Sequence, residues 1–349
     1  MQSLTETTDV PILRPRWLNI TEEPVVCLAS HITSDLVIAG LSDGRIRLIQ
    51  YSTGESKETI LAHKMGLIQI QLSSCGKKMA TTGEDNFIRI YLIDNFKVTQ
   101  THQWKSKNWI EQVLWNKESL IFSSSKSLFH WKEFSQDPEL IETWSHSISS
   151  LTISQNGNLG VSGYSRFCLY DIETLQIVKD FEWKGQLENL RFSNRDRFAV
   201  CSSTDMTIHI WDLKKNKDLA MRGFPQKILD MSFRNDGLYM ANCSGVEVMI
   251  WDYMDPGPAG KKPQILGPFD KPIQFCKYQS KGKILASFGQ DGVILFWRPD
   301  LFDDRPLAIA GIRDQAITQA LWSEDDKEVI TGLSSGYVAC YPAPEVVEK

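Results

Sequence analysis

Apolar and polar positions alternate along this chain in short extended bursts, with no convincing long helical period. In "DMTIHIWDL" (205–213), Ile208 and Ile210 fall on one face of a strand and His209 and Trp211 on the other. Two further segments end alike, "GVEVMIWDY" (245–253) and "DGVILFWRP" (291–299). Weaker copies are "DGRIRLIQY", "DNFIRIYLI", "SKSLFHWKE", "YSRFCLYDI" and "SGYVACYPA". One large residue recurs in each copy: Ile49, Tyr91, Trp131, Tyr170, Trp211, Trp251, Trp297 and Tyr341. Successive spacings are 42, 40, 39, 41, 40, 46 and 44 residues, so the chain is an internal repeat of eight units.

Each unit holds more than this strand. A second apolar run precedes it, such as "KMATTGED" or "ILASFGQD", and a third lies further upstream, such as "LIQIQLSS" or "ILDMSFRN". Turn pairs such as Asn156-Gly157 and Asp236-Gly237 separate those two. A more polar fourth run, such as "KVTQTHQW", leads to the next unit. Four short strands per unit predict an all-β protein. A unit apolar on both faces must stack on its neighbours to bury them.

The periodic pattern resembles that of the WD-repeat β-propellers, over residues 10–345 or so. That family bonds a His before the first strand, a Ser or Thr in the second, an Asp in the turn and a Trp in the third. Here the second unit comes nearest, with His63, Thr81, Asp85 and Tyr91 in place of Trp. The fifth has Asp205, Trp211 and Asp212 without the His; the sixth keeps Trp251 and Asp252; the seventh has Asp291 and Trp297. The resemblance implies a closed ring of four-stranded blades, eight by the repeat count. Seven is the alternative, with the first or third unit as an appendage. The last unit lacks a fourth strand, which "VPILRPRWLNI" (10–20) is expected to supply. The organisation expected is a flexible N-terminus (1–9), one propeller domain (10–345) and a short tail (346–349).

Composition adds exclusions. Net charge is −5 and pI about 5.8, unlike the basic footprint of a general nucleic-acid binder. The N-terminus lacks a basic region followed by an apolar run, so no secretory signal is expected, and no run reaches membrane-spanning length. The seven cysteines have no C-x-x-C spacing and read as small buried hydrophobes in a reducing compartment. Cytoplasmic residence is expected, or nuclear in a eukaryote.

No H-E-x-x-H, G-x-S-x-G, Walker or dinucleotide motif is present, and the six His show no ligand spacing. No catalytic residue, cofactor or metal is therefore expected. Lysines cluster at 76–78, 214–217 and 260–263, in turns expected on one face, and 254–272 reads as a Pro- and Gly-rich loop.

In the family, partners commonly meet the start of the first strand and the second-to-third strand turn, at the channel mouth. The resemblance carries this to Trp109, Glu111, Glu84, Glu188, Lys227 and Gln290, with Ile68, Gln186, Leu229 and Gln274 at equivalent places. Trp109 stands out as an aromatic among polar neighbours, the composition of an interface hot spot. The expected function is a non-enzymatic scaffold for protein partners. A reader of short basic peptides is the alternative, and an enzyme using channel-lining residues a third reading.

Overall fold

The computed structural model describes residues 10–267, 269–301 and 304–346. The expected flexible residues 1–9, and 347–349 of the expected tail, lie outside the described residues. Among the described residues all regular structure is β apart from three single-turn 3-10 segments. The strands form seven hydrogen-bonded sheets, six of four strands and one of six.

Repeat 2 illustrates the common plan. Its strands are Leu67–Leu72, Lys78–Gly83, Phe87–Asp94 and Lys97–Lys105, paired antiparallel in chain order. Tight turns allow this, and some demand glycine. Gly292 follows the turn residue Asp291 with φ of +79°, and a Cβ there would lie 2.0 Å from the Ile312 carbonyl oxygen.

The expectation of eight separate blades is corrected to seven sheets, because repeats 4 and 5 share one. Its strands are Ile148–Ile153, Asn158–Asp171, Ile177–Phe192, Phe198–Ser203, Ile208–Asp212 and Lys217–Met221. Asn158–Asp171 does the work of two strands, pairing with Ile148–Ile153 through one half and with Ile177–Phe192 through the other. Ile177–Phe192 then runs on as the first strand of repeat 5. Its sequence, "IVKDFEWKGQLENLRF", keeps alternating and holds no proline to stop it. The first and third repeats, expected to drop out if the count were seven, each build a complete four-stranded sheet.

The last sheet takes its outer strand from the other end of the chain, as expected. Trp17–Ile20 lies beside Tyr337–Pro342, in the order Trp17–Ile20, Tyr337–Pro342, Glu328–Leu333, Ile317–Trp322. Residues 10–16 do something different. Ile12 bridges in parallel to Ile309, and the Leu13 N–H donates to the Ile309 carbonyl at 2.8 Å.

By contacts the described chain divides into two compact units. One comprises Asn19–Leu190 with Ser334–Val338; the other holds Arg191–Leu333 with the two flanking ends. Inside each unit the cores lie between successive sheets. Ile38, Leu48, Ile70 and Tyr91 meet between repeats 1 and 2; Val248, Ile250, Cys276 and Trp297 meet between repeats 6 and 7. The eight periodic large residues are all buried, none more than 9% exposed. Their spacing is thus the spacing of successive buried faces.

Candidate partner-binding surface

The first strand begins with the same irregularity in repeats 1–4 and 6–8. Register shifts between Val25 and Cys27, Leu67 and Gln69, Ile110 and Gln112, Ile148 and Ser150, Ile228 and Asp230, Ile273 and Phe275, and Ile317 and Gln319. A bulge leaves one residue out of the ladder and re-aims its side chain. Here the skipped residues are Val26, Ile68, Glu111, Ser149, Leu229, Gln274 and Thr318. Ile68, Glu111, Leu229 and Gln274 are among the strand-start positions picked out from the sequence. Glu188 holds the matching place in repeat 5 and is half-buried.

In the unit built on Asn19–Leu190, three of the six candidates come together. Glu84 lies in the turn of repeat 2 and is half-buried; Trp109 and Glu111 open repeat 3 and are exposed. The Trp109 ring is 50% exposed, yet its Nε1–H donates to the Glu84 carbonyl at 3.1 Å. The indole is therefore held at the surface rather than buried beneath the preceding loop. Beside it is a shallow cavity of about 390 Å³, lined by Asn86, Lys107, Asn108, Trp109, Glu111 and Ser125. Desolvation pushes the Glu111 carboxyl above its ordinary range. Met65, in the loop before repeat 2, and Tyr164, midway along the strand Asn158–Asp171, were not singled out from the sequence and are exposed. Isolated exposed apolar residues give no periodic signal, which is why they were missed.

In the other unit Lys227 is exposed just before the bulge of repeat 6, and Gln290 is exposed in the turn of repeat 7. Gln290 lines a second cavity of about 390 Å³ with Gln274, Ala316, Ile317 and Thr318.

The positions with expected structural roles are tied into hydrogen bonds. In repeat 2, His63 Nδ1 lies 2.7 Å from Asp85 Oδ1 and 2.6 Å from Arg89 Nη1, and His63 Nε2 lies 2.9 Å from the Thr81 hydroxyl. The Tyr91 hydroxyl donates to the Ala62 carbonyl at 3.3 Å. Arg89, not foreseen, adds Nη1–H to Asp85 Oδ2 at 2.9 Å. Burial lowers the His63 pKa. Burial pushes the Asp85 carboxyl up, but the bonds from His63, Phe87 and Arg89 hold it below its usual range. Trp251 Nε1–H donates to Asn242 Oδ1 and Trp297 Nε1–H to Ser287 Oγ, each at 2.8 Å. Asp205 accepts from the Thr207 hydroxyl, Asp291 from the Val293 N–H, and Asp212 from the N–H groups of Lys214 and Lys215. Trp211 is buried edge-on to His209, ring centres 4.2 Å apart.

The family place of His63, four residues before the first strand, is taken by aromatics in repeats 4 to 7: Trp144, Trp183, Phe224 and Phe269. Phe224 and Phe269 sit 6.0 Å from Trp251 and Trp297. Packing of rings replaces the polar chain there.

Among the described residues no three His, Cys, Asp or Glu side chains group to hold a metal ion. No helix there is long and apolar enough to cross a membrane. Residues 179–212, from the shared strand through the third strand of repeat 5, match the family model "WD domain, G-beta repeat". The chain is a β-propeller, and in sequence it is similar to WD-repeat proteins. Among its relatives is the WD repeat-containing protein 55 homolog of Dictyostelium discoideum, 24% identical over 76% of this propeller and 66% of that protein. WD repeat-containing protein 55 of rat is 22% identical over 93% and 89%. The serine-threonine kinase receptor-associated protein of rat is 20% identical over 55% and 56%. The chain thus spans just under two thirds of the first of these relatives and little over half of the third. Two solved structures share the fold at a TM-score of 0.77. They are the computationally designed Ika8 protein, 15% identical over 95% of this chain and 99% of that one, and Saccharomyces cerevisiae Sqt1, 11% identical over 96% and 99%.

Proposed function

We propose that this propeller is a non-enzymatic scaffold, one domain over residues 10–345, that holds protein partners on the bulge ends of its first strands. The observation that carries this reading is Trp109. A large ring half exposed to water is costly to display, and its bond to the Glu84 carbonyl fixes it for contact. His63 and Asp85, two titratable groups with displaced pKa values, are spent on bonds that join strands. That use favours a scaffold over an enzyme.

Glu84, Glu111 and Glu188 favour a second reading, in which the partner presents a short basic segment to the acidic rim. Such a protein works in the cytoplasm, or in the nucleus of a eukaryote. Association with a receptor, as in the name of one relative, belongs to the same class of role.

The test is affinity capture from native lysate with the wild type, Trp109→Ala, Glu84→Lys, and the double variant Lys214→Glu with Lys215→Glu. Partners lost with the first two variants and kept by the third support the reading. Partners lost only with the lysine-turn variant move the working surface to those turns.

A further inference from the structure

The outer strand of repeat 7, Ala308–Gly311, ends its sheet, where Val293–Trp297 is its one neighbour. The outer strands of repeats 1, 2 and 5 carry charged residues: Lys57 and Glu58, Lys97 and Lys105, Lys217 and Asp218. Charges of that kind keep a sheet edge from templating another strand. Ala308–Gly311, with the sequence "AIAG", carries none. Its edge is covered instead by residues 11–13.

The cover is a single parallel bridge. The Ile309 N–H donates to the Pro11 carbonyl at 2.9 Å, and the Leu13 N–H donates to the Ile309 carbonyl at 2.8 Å. Each place in the bridge has its own requirement. The residue at place 11 gives only a carbonyl, so a proline, which lacks an N–H, fits there. The residue at place 12 faces water, since Ile12 is 78% exposed. The residue at place 13 must donate an N–H, which excludes proline. Its side chain is half-buried, which disfavours a charge. The edge thus selects a proline, any residue and an apolar residue, in an extended segment running parallel to Ala308–Gly311.

The cover is lightly held. Of residues 11–13 only Leu13 is half-buried; Pro11 and Ile12 are exposed. A segment with so little buried apolar surface opens at low free-energy cost. The chain that follows is anchored separately. The Arg16 N–H donates to the Cys340 carbonyl at 2.7 Å, and the Arg16 guanidinium pairs with Glu328. Arg14 and Pro15, both exposed, lie between the two attachments. Residues 11–13 can therefore leave the edge while Trp17–Ile20 stays in the last sheet.

We propose that the outer edge of repeat 7 is a strand-addition site for an extended segment of a partner protein, patterned proline, any residue, apolar residue. Residues 11–13 are its exchangeable occupant from the same chain. A partner segment that displaces them makes the same two main-chain bonds, and its apolar residue takes the place of Leu13. Tethered close by, residues 11–13 compete at an effective concentration on the order of millimolar. A partner prevails by adding contacts beside the edge. This edge is separate from the surface carrying Trp109, so either can fail without the other.

The test uses the full chain and the fluorescently labelled peptide Val-Pro-Ile-Leu-Arg, the sequence of residues 10–14. Leu13→Pro removes the N–H that holds the cover and should free the edge. Fluorescence anisotropy should show binding to this variant at a Kd on the order of 0.1–1 mM, and to the wild type at least about tenfold more weakly. Leu13→Asp keeps the N–H but not the apolar side chain, and should also bind the peptide more tightly than the wild type does. Val-Pro-Lys-Leu-Arg should bind as well as the parent peptide. Val-Pro-Ile-Pro-Arg and Val-Pro-Ile-Asp-Arg should each bind about tenfold more weakly. Amide hydrogen exchange locates the site. The Ile309 N–H should exchange slowly in the wild type, faster in Leu13→Pro, and slowly again once peptide is bound. Trp109→Ala should change none of this. The proposal is overturned if neither folded variant binds the peptide at protein concentrations up to about 1 mM. It is equally overturned if the proline or aspartate peptide binds as tightly as the parent, or if the Ile309 N–H is as protected in both variants as in the wild type.

Discussion

Repeats 2 and 4 solve one problem with different chemistry. In repeat 2 the residue four places before the first strand is His63, and a polar chain runs from Thr81 through His63 to Asp85 and Arg89. In repeat 4 that place holds Trp144, and the polar chain has moved outward to the third and fourth strands. Trp144 Nε1–H donates to the Tyr170 hydroxyl at 3.2 Å, and that hydroxyl donates to Glu142. Arg166 then ties Glu142 at 2.7 Å to Asp180 at 2.8 Å, its guanidinium 4.6 Å over the Trp144 ring. Both repeats bury the same third-strand aromatic, Tyr91 in one and Tyr170 in the other. What the architecture requires is a filled, hydrogen-bonded space beside that ring. Which residues fill it is free to vary.

The networks differ most in burial. Asp85 and Arg89 side chains are each 10% exposed, whereas Glu142 and Asp180 are 28% and 44% exposed. Asp85→Ala strands a buried guanidinium and should cost about 3–5 kcal/mol in denaturant unfolding. Arg166→Ala, which strands only partly solvated carboxylates, should cost clearly less; an equal loss would erase the distinction.

Tyr170→Phe removes the hydroxyl between Trp144 and Glu142 while Arg166 keeps Glu142 paired. A loss of about 1–2 kcal/mol is expected by the same measurement. No loss would mean that ring packing alone holds repeat 4.

Acid separates the repeats in another way. The His63 pKa is lowered in the folded chain, so the unfolded chain takes up its proton first as pH falls. Stability from the neutral ring is full above about pH 6.5 and declines below it, towards the folded pKa. Asp85, held low, adds a loss at still lower pH, on falling from about 3.9 through its folded pKa. His63→Phe, which gives repeat 2 the aromatic found in repeats 6 and 7, should narrow the fall in melting temperature between about pH 7.5 and about pH 5. The narrowing should be incomplete. Burial lowers His209 in repeat 5 to about 4, so it contributes a decline over the same range. An unchanged pH profile would show that His63 is not the group responsible.

The smallest effect is expected at the surface. Trp109→Ala should move stability by no more than about 0.5 kcal/mol, checked by thermal melting beside the capture experiment. A larger loss would class Trp109 with the buried aromatics.

The repeat was legible because burial imposes it. A large residue every 39 to 46 positions marks each covered face, and the turn residues mark the strand ends. The join of repeats 4 and 5 was not, since 177–192 reads as two strands by analogy and as one by its unbroken alternation. The Trp144 network was hidden for another reason. Its members belong to no motif and meet only through strand pairing, as when Arg166 is placed opposite Glu182 and beside Asp180. On the candidate surface, position along the strand pointed to Glu111 and Trp109, but exposure at Met65 and Tyr164 depends on local backbone paths that residue type does not encode.

The strand Trp17–Ile20 has a consequence for how the protein is made. Arg16, which precedes it, pairs with Glu328, 312 positions further along the chain. At ordinary translation speeds of about 5–20 residues per second, that partner emerges on the order of 15–60 seconds later. During that interval the early segment has no sheet to join, and the repeats already made have an uncovered apolar face. A newborn chain therefore passes through its most aggregation-prone stage late in synthesis, just before the last sheet is complete. Slowing translation should lengthen that exposure, and a chaperone acting on nascent chains should matter most for this strand.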